Sequence, residues 1–146
     1  MRILKLVLAF VAAVIVTTIL GAAFHTQFVI GRLTDMGIAV SFADRLSTTL
    51  HDIAGMAPLF GLVIAGGFLV AFLAGALVFR FAGTQRNVVY AVAGAVAIGV
   101  ALSLMAMVFN ITPIAGARSW AGFIAQMAAG ALGGYVFALI SRVRTA

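Results

Sequence analysis

The sequence predicts an all-α membrane protein, a four-transmembrane-helix bundle with an amphipathic extracytoplasmic segment between spans 1 and 2. Two observations lead there. The chain is 65% hydrophobic and 8% charged, with a mean hydropathy of +1.27; a soluble domain is about 45–50% apolar and about 25% charged. A soluble core of 146 residues could not hide that much apolar surface, and a hydrocarbon solvent removes the need to hide it. The second observation is where charge is missing. Residues 58–79, 88–117 and 119–141 hold no Lys, Arg, His, Asp or Glu, and a helix crossing the bilayer core needs about 20 apolar residues.

Each element follows from the local pattern. The first apolar run covers 3–24 and is interrupted only by Lys5 and the pair Thr17 and Thr18. Its opening Met-Arg-Ile-Leu-Lys also has the form of a signal-peptide n-region, with Gly21-Ala22-Ala23 as a cleavage site. The run is longer than the usual h-region of about 7–15 residues, so it reads as an uncleaved span. Residues 25–56 are different in character. They hold both histidines, all three acids (Asp35, Asp44, Asp52), Arg32 and Arg45. Leu33, Met36, Val40, Ala43, Leu46, Leu50 and Ile53 recur there in steps of three and four, opposite Asp35, Ser41, Asp44, Arg45, Thr48, Thr49 and Asp52. That period predicts an amphipathic helix lying along the membrane surface or capping the bundle. It is interrupted near Gly37, or begins afresh at Ser47-Thr48-Thr49.

Pro58 opens the second span, 57–79, because the first turn of a helix does not need the missing N–H. Arg80, Gly83, Thr84, Gln85 and Arg86 make a short basic turn. The third span, 88–109, is stopped by Asn110-Ile111-Thr112-Pro113, and Gly116 and Arg118 complete a tight loop. Trp120 begins the fourth span, 120–140, at the depth interfacial aromatics favour. Arg142 and Arg144 follow it. The whole of 1–146 is expected to be one integral membrane domain.

The formal charge is +6 and the pI about 11.5. The nine Lys and Arg residues stand in ones and twos around apolar runs, with no basic face. Such scatter fits topological anchoring and anionic headgroups rather than nucleic acid. With Arg2, Lys5, Arg80, Arg86, Arg142 and Arg144 on one side, and Arg32, Arg45 and Arg118 on the other, the positive-inside rule puts both termini in the cytoplasm and 25–56 outside. The compact layout and alanine-rich composition point to a bacterial inner membrane. The chain has no cysteine, which excludes disulfides and thiolate metal sites.

Lipid tails are as apolar as leucine, so close backbone approach and interhelical hydrogen bonds must join the helices. Gly122, Gln126, Gly130, Gly134 and Ala138 recur every four residues on one face of the fourth span. The third span carries Ala91, Ala95 and Gly99 at the same spacing, and the second Gly61 with Ala65, and Gly67, Ala71 and Gly75. These faces serve packing within the chain, or, in the case of the fourth-span ridge, a homodimer seam. Phenylalanines such as Phe68, Phe72, Phe79, Phe123 and Phe137 are expected to fill the space between ridges and lipid.

Charged residues deep in a bilayer are costly and mark function; none lies near the middle of a span here. That argues against a coupled transporter. Thr17, Thr18, Ser103 and Gln126 are the polar residues within spans, and Asn110 follows the third. Thr and Ser can bond their own backbone one turn back, whereas the Gln126 amide should face another helix. No metal set or cofactor is expected. The weak metal candidates are His25, His51 and Asp52, of which the adjacent His51 and Asp52 point about 100° apart on a helix. No nucleophile stands beside a base, so an enzyme is not expected.

The function expected is that of a non-enzymatic accessory or scaffold subunit packing through small-residue faces. Its partners would be the bilayer and a second membrane protein or another copy of itself. Two alternatives stand beside it. One is a channel or carrier for a small neutral or lipid-like solute, lined by Thr17, Ser103, Asn110 and Gln126. The other is a metal or haem protein using the outer-face histidines.

Overall fold

The computed structural model describes residues 2–83 and 85–142. The expected positions Thr84 and Arg144 lie outside the described residues. The described chain forms four long helices, α1 (Arg2–Asp35), α2 (Phe42–Ala82), α3 (Arg86–Phe109) and α4 (Trp120–Ile140), with a 3-10 turn at Ala115–Arg118 before α4. All four are long and apolar enough to cross a membrane. They run up and down around a ring: α1 lies between α2 and α4, and α3 packs on the other side of the same two helices. The α3–α4 seam is the most extensive and the α2–α3 seam the least.

The segment 25–56 is not a separate surface helix. It is the far ends of α1 and α2, folded against each other as a hairpin. Nothing between His25 and Thr34 breaks a helix, so the backbone hydrogen-bond ladder carries on past the apolar run. The break does come at Gly37, where φ is +84°. Gly37 N–H donates to the Thr34 carbonyl at 3.0 Å and Ile38 N–H to the Leu33 carbonyl at 3.0 Å. This is the paired closure by which a left-handed glycine ends a helix. The next helix starts at Ser41, not at 47–49. The Ser41 hydroxyl accepts from Asp44 N–H at 3.1 Å and donates to the Asp44 carboxylate at 2.6 Å, a capping arrangement that satisfies an otherwise orphaned donor.

Pro58 does not open a helix either; it sits inside α2. Its missing N–H frees the carbonyl of Ala54, and both residues are exposed. The freed carbonyl therefore lies on the outer side of α2 and is not buried inside the protein. At about 1.5 Å per residue, the 41 residues of α2 extend about 61 Å and the 21 of α4 about 31 Å. The surplus appears at one end, where the hairpin projects beyond the α3–α4 connection. That connection docks on α1 at His25, and ten further residues of α1, about 15 Å, continue past it.

The core is built differently on its two sides. The α3–α4 seam is backbone on backbone. A Cβ at Gly94 would lie 2.1 Å from the Gly130 carbonyl oxygen, and one at Gly134 would lie 1.9 Å from that of Tyr90. The buried row of α2 is instead Phe60, Ile64, Phe68 and Phe72. Phe72 stacks on Phe137 of α4 at 4.4 Å and meets Tyr90 of α3 edge-on at 5.6 Å. Gly133 makes room for α1, where a Cβ would come within 1.9 Å of Thr17 Oγ1, and the Phe68 ring lies at 3.0 Å from the same point.

Candidate functional site

The residues singled out in the sequence separate into distinct places. In the α1–α4 seam, Gln126 is 1% exposed, and its Nε2 donates to the Gly21 carbonyl oxygen at 2.8 Å. That carbonyl already serves its own helix, so the bond is an added tie between helices. Thr17 turns to the same seam and donates to the Ala129 carbonyl at 3.4 Å, a long bond. It does not bond its own helix, as Thr18 does with Val14 at 2.7 Å. Ser103, on the outside of α3, donates to the Gly99 carbonyl one turn back at 2.8 Å. Asn110 caps the end of α3 in the left-handed region, φ 52°. Ser103 and Asn110 thus make local contacts on α3, away from Thr17 and Gln126, which share the α1–α4 seam. Every buried side-chain nitrogen and oxygen among the described residues has a hydrogen-bond partner.

The small-residue rows are placed in part where the sequence put them. Gly122, Gly130 and Gly134 are buried. Gly122 packs on the Gly116 carbonyl, where a Cβ would come within 1.8 Å. The fourth-span ridge is thus buried within the chain, against α1, α3 and the α3–α4 connection. On α3 the close crossing is made by Gly94 rather than Ala95. Ala91 flanks it at Gly134, and Gly99 faces the Met127 side chain. On α2, Gly61 and Ala65 are half-buried, one position away from the large row that carries the packing. Gly21, Gly94, Gly116 and Gly133 are the close-approach residues that sequence spacing missed. A four-residue spacing was present for three of them: Gly94 between Tyr90 and Ile98, Gly21 after Ala13 and Thr17, and Gly133 between Ala129 and Phe137, all on buried faces.

At the end where α3 and α4 are joined, His25 Nδ1 accepts from Gly116 N–H at 3.1 Å; that nitrogen therefore carries no proton. A Cβ at Gly116 would come within 2.6 Å of the His25 Cα, so this is a packed joint. Asp52 accepts from the Thr26 hydroxyl at 2.7 Å, and His51 is exposed. Among the described residues no three His, Asp or Glu side chains converge on one point. His25 and Asp52 are thus engaged in contacts at this end of the bundle, and His51 is exposed.

The hairpin above this joint is closed by polar contacts. Gln27 Nε2 donates to Thr49 Oγ1 at 3.1 Å, and Arg45 Nη1 donates to Gln27 Oε1 at 3.1 Å. Thr26, Gln27, Arg45, Thr49 and Asp52 thus form the contact between the two helix ends. The apolar side of the same stretch is turned outward. Phe42 is 81% exposed, Leu46 51% and Leu50 60%, one helical turn apart in a single stripe. Met36 and Ile38 at the turn are exposed as well. The periodicity found in the sequence is present, but its apolar face looks away from the bundle. The stripe lies on the part of α2 that extends past the α3–α4 connection.

At the opposite end, Arg86 lies over the Tyr90 ring at 5.2 Å. It donates to the Ala138 carbonyl at 2.9 Å and the Ser141 hydroxyl at 2.6 Å. A cation there satisfies the last carbonyls of α4 and complements its dipole. Between α2 and α3 runs an open groove of about 520 Å³ near Gly67 and Ala101, with a second of about 400 Å³ near Gly75 and Val89. Their lining is apolar throughout, with no group to position a polar solute. No protein family, curated protein or solved structure matches this chain.

Proposed function

We propose that the chain is a non-enzymatic accessory or scaffold subunit of a bacterial inner membrane, and that it presents the α1–α2 hairpin to a membrane-protein partner. The observation that carries this reading is the exposed stripe Phe42, Leu46 and Leu50 on a part of α2 that outruns the bundle. With the inner end of α2 at Arg80, about 30 Å of hydrocarbon reaches only to about residue 60. Residues 42–50 then stand in water beyond the headgroups, where exposed contiguous apolar surface marks an interaction site. Both termini face the cytoplasm in this reading, and the hairpin is extracytoplasmic. The separation of Ser103 and Asn110 from Thr17 and Gln126 supports it over a solute channel.

The test is a photocrosslinking amino acid at Leu46 in living cells, with the same probe at the lipid-facing Leu69 as the comparison. A discrete heavier adduct from position 46, reduced several-fold by Phe42→Asp, is expected. If position 46 gives no adduct other than with lipid, the scaffold reading is wrong.

A further inference from the structure

The outer face of the α3–α4 seam carries a groove whose polarity changes along its length. At the end near the α3–α4 connection it is a cavity of about 240 Å³ lined by Arg118, Ser119, Trp120 and Ser103. Phe123 and Ser103 also line a second cavity of about 310 Å³, which continues between Leu104, Val100, Val96 and Met127. The two form one groove with a polar mouth and an apolar floor. From Ser103 to Val96 it descends seven residues along α3, about 10 Å. That is about two thirds of one leaflet of a hydrocarbon core about 30 Å thick. Gly99, which has no side chain, lets Met127 pack closely on α3 at the floor, where a Cβ would lie 3.2 Å from the sulfur.

The mouth carries an unbalanced positive charge. Among the described residues Arg118 makes one hydrogen bond, from Nε to the Thr112 carbonyl at 3.2 Å, and pairs with no carboxylate. Guanidinium is the side chain best suited to phosphate, because its planar fork matches the phosphate oxygens and is weakly hydrated. Trp120 stands beside it, 83% exposed, with the ring position that belongs at headgroup depth. A cation and an indole at the mouth of an apolar trough complement one kind of molecule: an amphiphile with an anionic head and a hydrocarbon tail.

We propose that this groove is a binding site for an anionic phospholipid of the outer leaflet, its phosphate held by Arg118 and one acyl chain laid over Ser103 toward Val96 and Met127. The site rests on the membrane-spanning reading and does not depend on the scaffold role of the hairpin. The zwitterionic competitor carries its own cation beside the phosphate, and so gains less from Arg118.

Trp120 is the only tryptophan in the chain and reports directly on the groove. The experiment reconstitutes the full-length protein in vesicles of phosphatidylcholine containing a fraction of phosphatidylglycerol, with bromines placed high on the acyl chains of one lipid or the other. Quenching of Trp120 fluorescence then gives the relative occupancy of its neighbourhood. The expected result is an approximately fivefold preference for phosphatidylglycerol, the equivalent of about 1 kcal/mol for one arginine at the membrane surface. Arg118→Gln should bring the preference to about one. Ser103→Phe, which fills the waist of the groove but leaves Arg118 in place, should reduce it as well; both positions are exposed, and circular dichroism checks that each variant folds. Equal quenching by the two lipids, or a preference that survives Arg118→Gln, overturns the lipid site alone. Absence of quenching by either lipid overturns the membrane placement on which the site rests.

Discussion

Gly94→Ala adds one methyl group at the closest crossing in the bundle. The new Cβ would stand 2.1 Å from the Gly130 carbonyl oxygen and 3.2 Å from Gly134 N, where ordinary contact begins near 3.4 Å. Both obstacles are backbone atoms of α4, so no rotamer change relieves the clash and the two helices must part. Parting them loosens Gly130 and Gly134 at the same time, because their own contacts are to Gly94 and Tyr90. Overpacking of a well-fitted interior costs about 1–3 kcal/mol. The rigidity of both walls puts this substitution in the upper half of that range, about 2–3 kcal/mol. A loss of 2 kcal/mol lowers the folded-to-unfolded ratio about thirtyfold. The assay is equilibrium unfolding in mixed micelles, followed by circular dichroism. Gly66→Ala in α2 is the control, since a Cβ there meets nothing within 4 Å. It should be neutral or stabilising by up to about 1 kcal/mol, from helix propensity alone. If Gly94→Ala is as stable as the parent, or no worse than Gly66→Ala, then backbone contact is not what joins α3 to α4.

Three further outcomes follow from the same contacts. Gln126→Leu keeps the volume but removes the bond to the Gly21 carbonyl. It should cost about 0.6 kcal/mol and at most about 1.7, measured in the same micelles. Phe68→Ala empties a position with no exposure at the centre of the aromatic cluster. It should cost about 3–5 kcal/mol, and tyrosine near-ultraviolet dichroism from Tyr90 should weaken as Phe72 loses its neighbour. Arg86→Gln removes the cation from the last carbonyls of α4. It should cost about 1–2 kcal/mol, with amide exchange quickening at 138–141 and not at 120–124.

The four apolar helices were legible because hydropathy reports composition over a whole span, and composition does not depend on what the span touches. The continuation of α1 past Phe24 and the start of α2 at Ser41 were not, although the break near Gly37 was. Hydropathy falls where the chain leaves hydrocarbon, but a helix ends only where its hydrogen bonds are diverted. The diversion is at Gly37 and Ser41, well beyond Phe24. Pro58 misled for a related reason: its cost depends on whether the freed carbonyl at Ala54 is buried, which no local pattern contains. The Gly122, Gly130 and Gly134 row could be read from a four-residue spacing, because that spacing defines a helix face. Which face of α3 or α2 meets it depends on how the helices cross, so Gly94 and the Phe60–Phe72 row came out one position from the expected Ala95 and Gly61. In the hairpin the periodicity was correct, but it did not say which face would meet the bundle. Amphipathic spacing states that two faces differ; it does not state which one finds a neighbour.

The central claim is that four helices cross the membrane and the α1–α2 hairpin stands outside it. The chain has no cysteine, so single cysteines can be placed at will. Leu46→Cys in the hairpin, Gln85→Cys in the α2–α3 turn and Leu69→Cys on the lipid-facing side of α2 would be exposed to a membrane-impermeant maleimide in intact cells, before and after permeabilisation. The proposed topology predicts that Leu46→Cys labels in intact cells, Gln85→Cys only after permeabilisation, and Leu69→Cys in neither case. Labelling of Leu46→Cys and Gln85→Cys from the same side, or ready labelling of Leu69→Cys, would contradict the account.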